Sequence, residues 1–320
     1  MFALRGAAVT LSVFAMVYCA LSLAVCLSWA RIWIRIQTWA RRPPESRVAN
    51  LLFTLRLFPL ATAVVITAAF TVPSFLLLEP RAINEPLGGL PLALGLCGLG
   101  IGIFGAAKVF RAIRKASHTI SAWTREAQSV SSATPVPVLR ISRPIPPMSA
   151  VGIVRPRILL SSAAESVLAA DELRAALKHE IAHIRRRDNL KKLLLRFVAF
   201  PGMSGLEMAW LEAAEMAADD AAVSTPTEAL DLAATLIKLS RLGPVAPPVD
   251  LSAALVHSPA SIMNARVERL ISWSQQRQSR SRGNAIWCGV LALCAAAGMA
   301  AVTYSEMLAH VHTATEWLVR

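Results

Sequence analysis

Four apolar stretches constrain this chain more than any other feature: about Ala7–Ala30, Leu51–Leu78, Leu87–Phe110 and Ala285–Tyr304. A helix crosses the hydrocarbon of a bilayer in about 20 residues, so each stretch is long enough to span. The first is followed directly by "RIWIRIQTWARR". It is longer than the apolar core of a secretory signal, so it reads as a retained span. The third is rich in glycine ("GGLPLALGLCGLGIGIFG"), which favours close approach between helices. Hydrophobic residues make up 55% of the chain, charged residues 17%, and the mean hydropathy is +0.51. That balance fits a chain held largely in lipid.

The net charge of +13 has a topological reading. Arg31, Arg35, Arg41, Arg42 and Arg47 follow the first span, and Lys108, Arg111, Arg114 and Lys115 follow the third. Arg266, Arg269, Arg277, Arg280 and Arg282 precede the fourth. The opposite loop, "EPRAINEP", holds one arginine. The positive-inside rule then puts both termini outside and residues 111–284 in the cytoplasm. The basic residues flank apolar runs and do not interleave with aromatics, so a direct nucleic-acid partner is not expected. Cys19, Cys26, Cys97, Cys288 and Cys294 all lie in apolar runs without a CxxC spacing. Neither a disulfide framework nor a cysteine-ligated metal is expected.

The domain plan is therefore a three-span region (1–110), a soluble domain (111–284), a fourth span (285–304) and a short outer tail (305–320). The soluble part starts as a polar helix through about Gln128, followed by the linker "SVSSATPVP". The segment "VLRISRPIPPMSAVGIVRPRILLSS" has β-branched residues between proline and glycine breaks and predicts a short hairpin. From Asp171 the pattern is helical. The fold class is thus mainly α and integral to the membrane, with an α-rich domain between the third and fourth spans. His310 and His312 in the tail are spaced as on a strand or loop and read as solvated, as do the isolated His118 and His257.

Within the soluble part lies "KHEIAHIRRRDNL" (178–190). Residues four apart share a helix face, so His179 and His183 present two imidazoles to one point with Glu180 beside it. Zinc takes such nitrogen and oxygen ligands and keeps a position open for water, which a neighbouring glutamate can deprotonate. The acidic "DEL" suits the start of that helix, and Leu173, Leu177, Ile181 and Ile184 form its core stripe. The HExxH spacing arises by chance at on the order of one per cent in a chain this long, so a third ligand matters. "LEAAEMAADDAAV" offers Glu215, with Glu212 as the next candidate. Asp219, one turn beyond Glu215, is placed to take an N–H from a ligand histidine. Glu207, Glu212 and Asp220 otherwise read as solvated charge. The Arg185–Arg187 run suits anionic headgroups, and Asp188 is a candidate partner for the helix that carries the site.

Taken in order, these elements resemble the BlaR/MecR family of membrane zinc metallopeptidases. Three spans precede the domain, "VGIVRPRILL" looks like the family's strand motif, and "ELRAALKHEIAHIRRRDNL" looks like its catalytic helix. "EMAADDAAV", "NARVERLI" and a fourth span follow. The resemblance implies one Zn2+ on His179, His183 and Glu215, with Glu180 as catalytic base and Asp219 as the acid behind the ligands. It also implies that strand 151–160 lies along the cleft. An extended substrate would add there through Val151, Gly152, Ile153 and Val154.

The expected activity is zinc-dependent endoproteolysis of a cytoplasmic or membrane-proximal protein, in signalling or transcriptional derepression, at a bacterial-type inner membrane. The family suggests a small winged-helix repressor as partner. Its antibiotic receptors carry a penicillin-binding sensor domain, which this sequence lacks, so direct β-lactam sensing is not expected. Two alternatives stand beside this reading: a quality-control protease of the HtpX or prenyl-protease kind, and a non-proteolytic signalling subunit with a structural zinc.

Overall fold

The computed structural model describes residues 2–38, 44–80, 88–125, 127–130, 134–142, 145–198, 200–242, 252–254, 260–273 and 304–317. The expected fourth span lies outside the described residues apart from Tyr304, as do Cys288, Cys294 and His257. The chain forms two compact units. One comprises Met1–Ser28, Leu57–Phe104 and Gln278–Arg320, the other Trp29–Arg56 and Gly105–Arg277.

Three long apolar helices match the first three apolar stretches: α1 (Phe2–Thr38), the run from Glu45 to Leu78, and α4 (Gly89–Thr124). In the first unit two glycines of α4, Gly95 and Gly98, act as expected. A Cβ on Gly98 would collide with the Leu11 carbonyl, and one on Gly95 would stand 3.1 Å from that of Ala8. Only glycine lets these two backbones meet so closely. The second run is α2 (Glu45–Ile66), a π-helical turn (Thr67–Thr71) and α3 (Val72–Leu78). Pro73 has no N–H to give the carbonyl of Ala69 four residues back. The Tyr304 hydroxyl donates to that carbonyl instead, at 2.6 Å. Tyr304 opens a final helix, α11 (304–317), so the tail is helical and not the strand or loop its histidine spacing suggested.

In the second unit the expected hairpin is part of a larger element. Strands β1 (Gln128–Val130), β2 (Val138–Ile141), β3 (Met148–Val151), β4 (Arg157–Ser161) and β5 (Ser252–Ala254) form one sheet in the order β1-β2-β4-β3-β5. The β2–β4 pair is parallel and the others antiparallel. The polar helix ends at Thr124, and the start of the Ser/Thr/Pro segment expected as a linker is β1. Residues 152–156 do not continue a strand along a cleft. They turn between β3 and β4, with Gly152 at φ +88°, a backbone conformation that favours glycine. A Cβ there would also meet the Arg155 carbonyl at 2.7 Å.

The helices of this unit are α5 (Ser162–Val167), α6 (Ala170–Arg185), α7 (Asp188–Phe197), α8 (Ser204–Ala222), α9 (Pro226–Ser240) and α10 (Ala260–Ser272). The Glu172 carboxylate accepts from the Ala169 N–H at 2.8 Å, which satisfies an orphan donor where α6 begins. α6 packs against α8 and α9. Ile181 is buried in the core with Ile158, Leu160, Leu232 and Leu236, and Leu173, Leu177 and Ile184 pack on its edge. The apolar side of α6 thus anchors the helix, and its polar side is free to carry a site.

Candidate metal centre

α6 ends at Arg185, and Arg187 adopts φ 55°, ψ 39° before α7 begins. This left-handed residue reverses the chain and swings Asp188 back toward the helix it follows. The Asp188 Oδ2 lies 2.8 Å from His183 Nδ1. On α8, Asp219 Oδ1 lies 2.9 Å from His179 Nδ1. A carboxylate only accepts, so in the bonded pair with Asp188 the proton sits on His183 Nδ1 and the lone pair on Nε2, and the nearby Asp219 charge favours the same tautomer of His179.

The two Nε2 atoms face each other at 3.1 Å. Glu215 completes the group, with Oε2 at 3.6 Å from His179 Nε2 and Oε1 at 3.5 Å from His183 Nε2. Two imidazole lone pairs at such a distance repel unless a proton or a metal ion stands between them. The three side chains are buried, and their ligand atoms all lie within 4.8 Å of one another. Two nitrogens and a carboxylate oxygen are a donor set that fits a divalent ion such as zinc.

The electrostatics agree. Burial alone would lower the pKa of His183, but the Glu215 charge and the bonds to Asp188 and Glu215 raise it to about 10. His179 moves the same way: burial opposes, and Asp219 and Glu215 prevail. Burial would raise Asp219, yet Arg266 and His179 hold it at about 2. Burial would likewise raise Glu215, but His183 and Arg266 hold it well below the usual carboxylate range. A cluster that binds protons this firmly offers the same donors and field to a metal cation.

Glu180, completely buried, is held from the sheet. The Ala150 N–H of β3 donates to its Oε2 at 2.6 Å. Its Oε1 is buried without a hydrogen-bond partner among the described residues. Burial pushes this carboxyl up, against the pull of His179 and His183. Asn189 fastens the same edge of that strand, its Nδ2 donating to the carbonyls of Ala150 at 3.1 Å and Gly152 at 3.3 Å.

Of the four residues expected to line a substrate groove, Gly152 and Ile153 border a cavity of about 240 Å³ that reaches His183, Arg187 and Asn189. Val151 is buried at the end of β3, and Val154 is 89% exposed on the turn. The edge of β3 away from β4 pairs with β5 of the same chain. Neither Glu207 nor Glu212 belongs to the group of possible ligands. Asp220 is not simply solvated, because it makes a two-pronged pair with Arg269 at 2.7 Å.

Residues 90–271 match the family described as BlaR1 peptidase M56. The chain belongs to this family. The match runs from the third apolar helix through α10 and so takes in all the residues of the centre. Membership in the M56 family implies a membrane metallopeptidase, in keeping with the three apolar helices. No curated protein matches the chain.

One member of the site escaped the sequence reading. Arg266 of α10, read there only as a topological charge, is fully buried. Its Nε and Nη2 grip Asp219 at 2.8 and 2.7 Å, and its Nη1 lies 3.2 Å from Glu215. The available signal was its place in "NARVERLI", an arginine between apolar positions of a helix. Asp188, foreseen only as a partner for the helix, bonds a ligand histidine directly.

Proposed function

We propose that this chain is a zinc-dependent endopeptidase that cleaves a cytoplasmic or membrane-proximal protein, in signalling or transcriptional derepression. The observation that carries this reading is the convergence of His179 Nε2, His183 Nε2 and the Glu215 carboxylate beside the unpaired oxygen of Glu180. His179, His183 and Glu215 hold the ion. Asp219 and Asp188 fix the tautomers of the two histidines. The zinc ion, when bound, supplies Lewis acidity toward a peptide carbonyl and an acidified water.

Glu180 takes a proton on Oε1 and returns it to the leaving amine, while its Oε2 stays tied to the Ala150 N–H. Its raised pKa suits a group that must accept a proton and then release it. The Gly152–Ile153 turn and its cavity are the place where substrate would approach. Charge asymmetry supports a topology with both termini extracytoplasmic and residues 111–284 on the cytoplasmic side of an inner membrane. The partner proposed is a protein substrate, with a small winged-helix repressor as the type that the family suggests.

The test compares Glu180→Gln with the unaltered chain, both solubilised in detergent and offered a library of labelled peptides. Equal zinc in both, with cleavage by the unaltered chain alone, is the expected result. Equal cleavage by both would remove Glu180 from the proton-transfer role.

A further inference from the structure

We propose that the membrane-helix unit carries a second metal site, built from Glu79, His312 and Glu316, which takes a divalent ion of the zinc class. Glu79 follows the last turn of α3, and its side chain is only 8% exposed. His312 and Glu316 lie one turn apart on α11 and therefore share a face. One ligand atom from each of the three lies within 4.8 Å of the others.

The imidazole shows why these residues amount to more than an ion pair. Among the described residues His312 Nδ1 is buried without a hydrogen-bond partner, 3.8 Å from Glu79 Oε2. That gap is too long for a hydrogen bond. It is the spacing of two atoms that share one ion, each about 2.0–2.2 Å from it. Glu316 is half-exposed, its Oε1 3.4 Å from His312 Nε2, the nitrogen opposite the one that faces Glu79, so a turn of its side chain is needed to complete the set around an ion at Nδ1. Arg5 Nη2 holds Oε1 of Glu79 at 3.2 Å, which leaves Oε2 turned toward His312. Among the described residues, two carboxylates and one guanidinium meet at this imidazole, a balance that favours a cation. One imidazole with two carboxylates favours a borderline ion over calcium, which prefers oxygen alone.

The bound ion ties α11 to the end of the second apolar run, two segments far apart in the chain. With the topology proposed above, it does so on the extracytoplasmic face. The inference stands independently of the peptidase reading, since it uses none of its residues.

Zinc per chain, counted by elemental analysis after dialysis of the full-length protein against buffered micromolar free zinc, tests it. The expected counts are two for the unaltered chain and one for His312→Ala. Glu316→Gln, a near-isosteric change at a half-exposed position, should also hold one. His183→Ala should lose the other ion and keep this one. An unaltered chain with a single zinc that survives both tail substitutions and is lost in His183→Ala would overturn the second site and leave the peptidase centre standing. A single zinc lost in His312→Ala but kept in His183→Ala would uphold the second site and sink the catalytic one.

Discussion

Replacing Arg266 by methionine tests the architecture of the centre most directly. The guanidinium is fully buried, makes two bonds to Asp219 and faces Glu215, and both carboxylates are themselves buried. Methionine fills similar space without charge, so packing changes little. What remains is a pair of buried carboxylates that have lost the guanidinium and keep chiefly the two histidines, or a bound metal ion, to offset their charge. Removing one partner of a buried ion pair costs about 3–5 kcal/mol, because the other charge is left uncompensated. For a unit of this size that corresponds to a fall of roughly 6–20 °C in unfolding temperature.

Thermal unfolding in detergent, with and without zinc, is the assay. The fall should be larger in metal-stripped protein, because a bound dication replaces part of the lost positive charge near Glu215. Adding Asp219→Asn to Arg266→Met should recover part of the loss, since the orphaned charge is then gone. A single variant that unfolds within about 2 °C of the unaltered chain, less than 1 kcal/mol, would refute the claim that Arg266 holds the carboxylates.

Three further outcomes follow from the same geometry. Asp188→Asn keeps an acceptor for His183 but removes its charge. It should weaken zinc by about 10–100-fold in chelator competition, and unchanged affinity would dismiss Asp188 as a support. In metal-stripped protein His183 titrates at about 10, so at neutral pH zinc must displace its proton. Zinc affinity should therefore rise from neutral pH toward 10 and fall as pH drops, with proton release visible by calorimetry in buffers of different ionisation enthalpy. By the same sign, the stability His183 lends the metal-stripped fold is complete below its ordinary value of 6.5 and is lost as pH rises through about 10.

The parts legible in the sequence are those with a period or a length. Twenty apolar residues in a row declare a span whatever surrounds them, and HExxH declares a helix face. Glu215 and Asp219 were accessible because they repeat that one-turn spacing on a second helix. The sheet was only partly legible. β1 and β5 have three residues each, too few to show an alternation, and Ser252–Ala254 has no β-branched side chain to mark it. Arg266 was hidden for another reason. Local sequence shows that a charge exists, but only packing decides whether it ends in water, at a headgroup or against a carboxylate. The same holds for His312, whose neighbour Glu79 comes from the other end of the chain.

The left-handed turn at Arg187 has a consequence for how the centre is assembled. It makes the support of His183 a matter of a few adjacent residues, complete as soon as α6 and α7 fold. His179 depends instead on Asp219 of α8, and Asp219 on Arg266 of α10, contacts that require long loops to close. The two histidines are neighbours on one helix, yet one is secured early and the other last. A chain interrupted between α8 and α10 would keep the HExxH motif, Glu215 and one well-oriented imidazole. It would lack the cation that steadies the carboxylate side, so the motif alone does not make the centre.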